Sequence, residues 1–315
     1  MTYYPYYIAD LIGQHALLFI TSLSILALIG VILVWSLFEK YYRRLWQAGV
    51  SLWDRIRTLP IIDKLRHSNP RLWLFFKNHL SPRGYLALHL TIGFIVAVMA
   101  LSAFNGVAEH IVESGPLVRF DQRLATALYQ NTTAPEALLF RVVTNFAGRA
   151  ATIGVGIGVG LWLVIRKKKL LLASWIVALA GNSLLNGVLK LTFQRARPSF
   201  DDPLLVENFY SFPSGHAMGS IVIYGMLTYI LAITLMDTAW KKMILISLTI
   251  LIIFFIGFSR MYLGVHYFSD ILAGYAAGTG WLAIVITGTE ITRRREKRRR
   301  LHPVRNPAQT NLSSS

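Results

Sequence analysis

Seven stretches of this chain are too long and too apolar for a water-soluble fold. Runs with few or no charges occur at Leu11–Phe38, Gly84–Ala108, Ala150–Ile165, Leu170–Leu189, His216–Met236, Met243–Ser259 and Ile271–Thr289. A bilayer core about 30 Å thick calls for roughly 20 mostly apolar residues per helix. A helix also pairs its own backbone polar groups, which hydrocarbon demands. The fold class that follows is all-α, a polytopic membrane helical bundle. Only 15% of residues are charged, where a soluble chain carries about a quarter. Ala150–Ile165 has 16 residues, so it is expected to extend back through Val142–Arg149 or to let Arg149 and Arg166 snorkel. Leu11–Phe38 lacks a basic segment before it and, at 28 residues, reads as a span rather than a cleavable signal peptide.

Basic residues set the expected topology. The chain has 32 Lys and Arg against 15 Asp and Glu, a net charge of +17. Ten of the 32 fall between Lys40 and Arg83, four in Arg166–Lys169, two at Lys241 and Lys242, and eight in Arg293–Arg305. These clusters lie in alternate connections of a seven-helix chain, as the positive-inside rule requires. The N-terminus is then outside and the C-terminus cytoplasmic. The +17 charge is thereby explained by the membrane, and no nucleic-acid partner is expected. The run RRREKRRR directly after the last apolar stretch reads as a solvated cluster beside anionic lipid. Asn306–Ser315 reads as disordered. Residues Glu39–Arg83 mix basic groups with Trp46, Trp53, Ile56, Trp73, Phe75 and Phe76, interrupted by Pro60 and Pro70. They read as short amphipathic helices on the inner surface, either a tether for an extra first helix or a regulatory element.

The other side of the membrane is chemically richer. Lys190 ends one apolar run and is followed by Arg197-Pro198; Pro213-Ser214-Gly215-His216 opens the next. Ser259-Arg260 ends a third, and His266 and Asp270 lead into the last. The charge pattern puts all of them at one bilayer face. Three cations suit an anion with several oxygens, because Arg matches phosphate bidentately and Lys adds a compact charge. Pro213-Ser214-Gly215 stands at a helix start, whose free amides attract anions. Asp270, four residues after His266, shares a helix face with it and can orient the imidazole. A neutral imidazole so held is a competent nucleophile towards phosphorus, and His216 can protonate the leaving oxygen. Each piece also has a plainer explanation: Lys190 as a snorkelling side chain, PSGH as a helix cap, His266 with Asp270 as a structural hydrogen bond.

The remaining polar residues carry less. His15, His67, His79, His89, His110 and His302 show no comparable pattern. Asn182 and Asn186 read as interhelical hydrogen bonds rather than ligands. Asp201 and Asp202 could hold a metal, but Arg195 and Arg197 nearby favour a solvated loop. No zinc spacing occurs, and cysteine is absent, which excludes disulfides, thiolate metal sites and thiol nucleophiles.

At these residues the chain resembles the type-2 phosphatidic acid phosphatase superfamily, whose soluble relatives include bacterial acid phosphatases and vanadium haloperoxidases. Its signature, K-x6-RP, PSGH and SR-x5-H-x3-D, is filled by Lys190, Arg197, Pro198, Pro213, Ser214, Gly215, His216, Ser259, Arg260, His266 and Asp270. The likeness covers roughly Gly84 to Thr292. It implies that Lys190, Arg197 and Arg260 hold a phosphate and that Ser214 and Gly215 donate to its oxygens. It further implies that His266 forms a phosphohistidine, Asp270 orients it, and His216 acts first as acid and then as base. No metal or cofactor is implied, since the cations supply the charge stabilisation.

The sequence thus divides into 1–83 (an N-terminal transmembrane helix and a basic cytoplasmic segment), 84–292 (a six-helix lipid phosphatase domain) and 293–315 (a basic tail). The expected activity is hydrolysis of a lipid phosphate or diphosphate at the outer face of a bacterial inner membrane. Among the family's substrates, undecaprenyl diphosphate ranks first on frequency, before phosphatidylglycerol phosphate, phosphatidic acid and lipid A phosphates. The alternatives are transfer of the phosphate to another lipid or sugar, and a non-catalytic lipid-phosphate binding or transport protein. Oligomeric state stays open.

Overall fold

The computed structural model describes residues 4–70, 73, 85–113 and 115–301. Phe75, Phe76, Arg83, His302 and the run Asn306–Ser315 lie outside the described residues. Those described form eleven helices and no strand: α1 (Tyr4–Gln14), α2 (Ala16–Ile56), α3 (Pro60–Ser68), α4 (Tyr85–Val112), α5 (Pro116–Gln130), α6 (Ala134–Asn145), α7 (Arg149–Ile165), α8 (Lys169–Phe193), α9 (Gly215–Thr234), α10 (Ala239–Tyr262) and α11 (Phe268–Leu301). Among the described residues, seven stretches are long and apolar enough to cross a membrane: Ala16–Tyr41, Leu90–Val112, Ala134–Ile165, Lys169–Phe193, Gly215–Thr234, Ala239–Tyr262 and Phe268–Lys297. Long apolar side chains such as Phe94, Met99, Leu184 and Ile284 face outward, where lipid tails rather than water can meet them.

Two local expectations change. The segment from Glu39 does not begin as short surface helices, because α2 continues unbroken to Ile56; the break comes only before Pro60, at the first position of α3, where a missing amide costs nothing. The third span does extend back through Val142–Arg149, to Ala134, but not as one helix: it is broken after Asn145, and α7 starts at Arg149 behind an extended Gly148. The stretch between the second and third spans also folds into α5, an amphipathic helix that the apolar runs did not mark. Its inward face consists of Asp121, Leu124, Ala125, Ala127 and Leu128.

Helix α11 is the axis of the bundle and packs on α4, α9 and α8, while α10 packs on α9, α6 and α2. The α9–α11 crossing is close enough to need glycine. A Cβ on Gly274 would stand 2.7 Å from the Ser214 carbonyl oxygen, and one on Gly278 would stand 2.8 Å from that of Met218. Spaced four apart, these glycines let the two backbones touch, the small-residue packing that membranes favour where no hydrophobic drive separates helix from lipid. Polar ties support the neighbouring crossings: Trp281 Nε1 donates to the Ala178 carbonyl at 3.0 Å, and Thr289 Oγ1 to Ser174 Oγ at 2.7 Å.

Helix α8 is about 37 Å long at 1.5 Å per residue, so its two ends lie at opposite faces. Lys190, the starts of α9 and α11 and the end of α10 gather at one of them. At the other, a cavity of about 680 Å³ is lined by Arg166, Lys167, Lys168, Lys169, Arg293 and Lys297, among others. Overpacking a close crossing costs about 1–3 kcal/mol. Gly278→Val is therefore expected to lower the thermal midpoint of the detergent-purified protein. Gly288→Val, at a position where a Cβ meets nothing within 4 Å, is expected to leave it nearly unchanged.

Candidate active site

Four helix ends build the site. Helix α8 stops at Gln194, which adopts a left-handed backbone (φ 46°) and turns the chain out of the helix. The connection that follows carries Arg195 and Arg197, then returns through Glu207 and Tyr210 to Ser214, the N-cap of α9, whose Oγ accepts from the Ala217 amide. The end of α10 supplies Arg260, and Gly264 (φ 71°) turns the chain back to place His266 before α11. The Ser214 amide donates to the Asp270 carbonyl at 3.0 Å, joining the starts of α9 and α11 through their backbones.

The structure brings Lys190, Arg197, Ser214, Gly215, His216, Arg260, His266 and Asp270 together at this end, as their spacing predicts. Arg197 donates from Nε to the Phe209 carbonyl (2.5 Å) and from Nη1 to the Val265 carbonyl (2.6 Å), and its Nη1 lies 3.1 Å from His266 Nε2. Lys190 Nζ donates to the Tyr210 carbonyl. Arg260 is buried; its Nη1 donates to Thr144 Oγ1 (2.9 Å) and its Nη2 to Glu207 Oε1 (2.6 Å). Its buried Nε has no hydrogen-bond partner among the described residues, and an unpaired buried donor is costly.

The His266 ring has a definite tautomer. Arg197 can only donate, so Nε2 accepts and carries the lone pair, while Nδ1 bears the proton and points to Asp270 Oδ2 at 3.2 Å. Asp270 Oδ2 also accepts from the Tyr267 amide at 2.9 Å. Burial first, and then the positive charges of Arg197, Arg260 and Lys190, push the His266 pKa well below 6.5, so the imidazole is neutral at physiological pH. The His216 ring, half-buried in the first turn of α9, feels the charges of Arg260, Glu207, Arg197 and Lys190.

One expectation is corrected in detail. The Ser214 amide is committed to Asp270, so only the Ser214 hydroxyl hydrogen is left to donate outward. The amides of Gly215 and His216, in the first turn of α9, have no intrahelical partner by helix geometry. Asn186 behaves as an interhelical tie, its amide reaching the Pro213 carbonyl at 3.5 Å. Asp201 and Asp202 are exposed.

Sequence spacing did not mark three other participants. Glu207 places a carboxylate between Arg260 (2.6 Å) and Arg197 (3.9 Å). Burial alone would raise its pKa, but Arg260 first, then Arg197 and His216, bring it below the ordinary value, so it is an anion beside the two guanidinium groups. Arg195, expected in a solvated loop, is instead tucked between Asp121 and Asp270 at 2.8 and 2.6 Å. Asp121, the third, is fully buried. A carboxylate on the apolar face of an amphipathic helix was the available signal.

With this geometry in place, the comparisons with known proteins can be weighed. Residues 171–293 match the model of the PAP2 superfamily, and that stretch is a PAP2 domain. Phosphatidylglycerophosphatase B of Bacillus subtilis (strain 168) is 37% identical over 103 residues, 33% of this chain and 50% of the relative. An undecaprenyl-diphosphatase of Sulfolobus acidocaldarius is 29% identical over 137 residues, 42% of this chain and 61% of the relative. The chain spans about half the length of the first of these curated relatives. The crystal structure of a transmembrane PAP2-type phosphatidylglycerolphosphate phosphatase from Bacillus subtilis superimposes with a TM-score of 0.56 at 26% identity. The match covers 62% of this chain and 96% of that one.

If Glu207 holds the place of a bound anion, removing its charge removes a competitor. Glu207→Gln is expected to tighten inorganic phosphate binding several-fold, measured by titration calorimetry on the detergent-purified protein; weaker binding would show that the carboxylate supports the anion instead.

Proposed function

We propose that this protein is an integral-membrane lipid phosphatase that removes a phosphate from a lipid phosphate monoester or diphosphate through a phosphohistidine. The observation that carries this reading is the convergence of Lys190, Arg197 and Arg260, with one buried guanidinium nitrogen unpaired among the described residues, around a neutral His266 whose lone-pair nitrogen accepts from Arg197. Binding alone would need the cations. It would not need an imidazole oriented from behind by a carboxylate.

In the proposed mechanism the phosphate displaces Glu207 from Arg260 and is held by Arg197, Arg260 and Lys190, with the Ser214 hydroxyl and the Gly215 amide donating to its oxygens. His266 Nε2 attacks phosphorus as the bond to the leaving oxygen breaks, and His216 gives that oxygen its proton. Asp270 supports the positive charge that His266 acquires. Water then attacks phosphorus, passing a proton to His216, and the phosphorus–nitrogen bond breaks to release phosphate and restore the neutral His266. Fixed cations stabilise the charge that develops on the phosphoryl oxygens, a preorganised field inside a water-poor site. No metal has a part in this scheme.

The site is proposed to open at the outer face. Support comes from the opposite end of the bundle, where Arg166–Lys169, Arg293 and Lys297 gather, as cytoplasmic ends do. A head group could enter from the rim while its tail stays in lipid. Undecaprenyl diphosphate and phosphatidylglycerol phosphate are the first substrates to offer. The former leads on family frequency, and the relatives' names bring the latter beside it.

The decisive measurement is phosphate release from a panel of these lipids, phosphatidic acid and lipid A phosphate, with EDTA present and His266→Ala as control. We expect release from at least one lipid, insensitive to EDTA, inhibited by vanadate and lowered by several orders of magnitude in the variant. Because His266 is held neutral, phosphoenzyme formation should persist as pH falls through 6.5. Metal-reversible inhibition by EDTA would sink the cation-only scheme, and release that depends on an added acceptor lipid would point to a transferase.

A further inference from the structure

Behind Asp270 lies a second layer of charge that the signature residues do not include. Arg195 Nη1 donates to Asp270 Oδ1 at 2.6 Å and to Ser269 Oγ at 2.7 Å, and its Nη2 donates to Asp121 Oδ2 at 2.8 Å. Asp121 Oδ1 accepts from the Ser269 amide at 3.0 Å, and its Oδ2 also accepts from the Ser269 hydroxyl. The guanidinium lies 4.2 Å from the centre of the Tyr267 ring. Its backbone is fixed as well, since the Arg195 carbonyl accepts from the Ser211 amide at 2.9 Å. Asp121 stands on α5, outside the stretch that matches the PAP2 model.

Stability alone gives little reason for such a cluster. Replacing a buried ion pair by apolar groups of similar volume is often neutral or stabilising, because desolvation offsets the attraction. Here every hydrogen bond of the pair ends on Ser269, Asp270 or the backbone that carries them. The charges also add up in a useful way. Facing Arg195 alone, Asp270 would form a neutral pair, and its pull on an imidazolium at His266 would be largely cancelled. Asp121 on the far side of the guanidinium restores one net negative charge to the trio. Arg195 can then fix the Asp270 carboxylate without cancelling its charge.

We infer that Arg195 and Asp121 are positioning residues that hold Asp270 in line with His266 Nδ1 and leave a net negative charge to support the phosphohistidine. The inference rests on the phosphatase reading above for its effect on turnover, but its effect on the His266 ring does not depend on any substrate. The charged and titratable groups facing His266 are Asp270 on α11, Arg197 on the α8–α9 connection, Arg260 at the end of α10, Lys190 on α8 and His216 on α9. Arg195 and Asp121 act on the ring only through Asp270.

The test uses the full chain in detergent with Asp121→Asn, Arg195→Gln, Arg195→Lys, the double variant Asp121→Asn/Arg195→Gln, and Asp201→Asn as an exposed control. Against the lipid hydrolysed best, Asp121→Asn is expected to lower kcat about 10–100-fold, the range seen when a group orienting a functional histidine is lost, with KM and inorganic phosphate affinity changed less than about 3-fold. Arg195→Lys should recover part of the loss seen in Arg195→Gln. The double variant should fall no further than the worse single variant, because the two residues act as one unit. Asp201→Asn should match the wild type. In parallel, deuterium exchange at the His266 ring carbon, followed by mass spectrometry across pH, reads ring ionisation without substrate. Its midpoint should rise in Arg195→Gln, which removes a positive charge, and fall or stay low in Asp121→Asn. A folded Asp121→Asn with kcat within 2-fold of wild type overturns the inference, as does a kcat loss that merely tracks lost phosphate affinity or thermal stability. If the wild type hydrolyses no lipid, the phosphatase reading fails by itself, and unmoved exchange midpoints would then overturn the positioning role independently.

Discussion

The hydrogen bond from the Ser214 amide to the Asp270 carbonyl joins the two helix starts on which the site depends. One carries His216 and the amides proposed to face a phosphate; the other carries the carboxylate behind His266. The bond is possible because Gly274, one turn after Asp270, leaves no Cβ between the helices: such an atom would stand 2.7 Å from the Ser214 carbonyl oxygen. Side chains could not hold the two histidines in a fixed relation so directly, since each would add its own rotamer freedom. A backbone-to-backbone joint makes the distance between the two histidines a property of the fold.

The cations around the gap are satisfied in a way that keeps their charge available. Lys190 gives one donor to the Tyr210 carbonyl, and Arg197 reaches the carbonyls of Phe209, Tyr210 and Val265. A carbonyl dipole meets a hydrogen-bonding need without cancelling a unit charge, so the gap stays electropositive although its groups are well ordered. Among the described residues Glu207 is the carboxylate that enters, and it is about one-third exposed, which makes it displaceable where a fully buried partner would not be. Behind His266 the pattern inverts, and carboxylates outnumber the guanidinium. Positive groups in front and a negative trio behind make a field directed across the His266 ring.

Much of this was legible from the sequence, for a physical reason. Spans are compositional, because hydrocarbon filters side chains one by one, and the signature residues sit at helix ends whose order fixes which face they share. The Lys190, His216, Arg260 and Asp270 positions could be assembled on that basis. Arg195, Asp121 and Glu207 could not. All three lie in a connection or a helix with no apolar run to anchor it, and Arg195 looks from its neighbours like a solvated loop residue. Only the return of the chain at Gln194 and Gly264 folds the connection over the helix ends and turns exposed-looking charges into buried ones. Helix continuity failed for a similar reason: nothing in the composition past Glu39 says whether a membrane helix stops at the interface or, like α2, runs on.

The contacts also give the first helix a part in the site. It lies outside the resemblance, yet α1 packs against α5, the helix that delivers Asp121. Gly13 lets α1 approach so closely that a Cβ there would meet the Ala127 backbone at 2.6 Å, and Asp10 pairs with Arg123 through both carboxylate oxygens. The exposed pair contributes little by itself. The close backbone approach matters more, because it fixes where α5 lies and hence how Asp121 meets Ser269. The signature motifs cluster at the helix ends that meet around His266. The elements that keep those ends in place are reached through packing, and packing follows the three-dimensional neighbourhood, so the working unit of this protein begins well before the matched stretch.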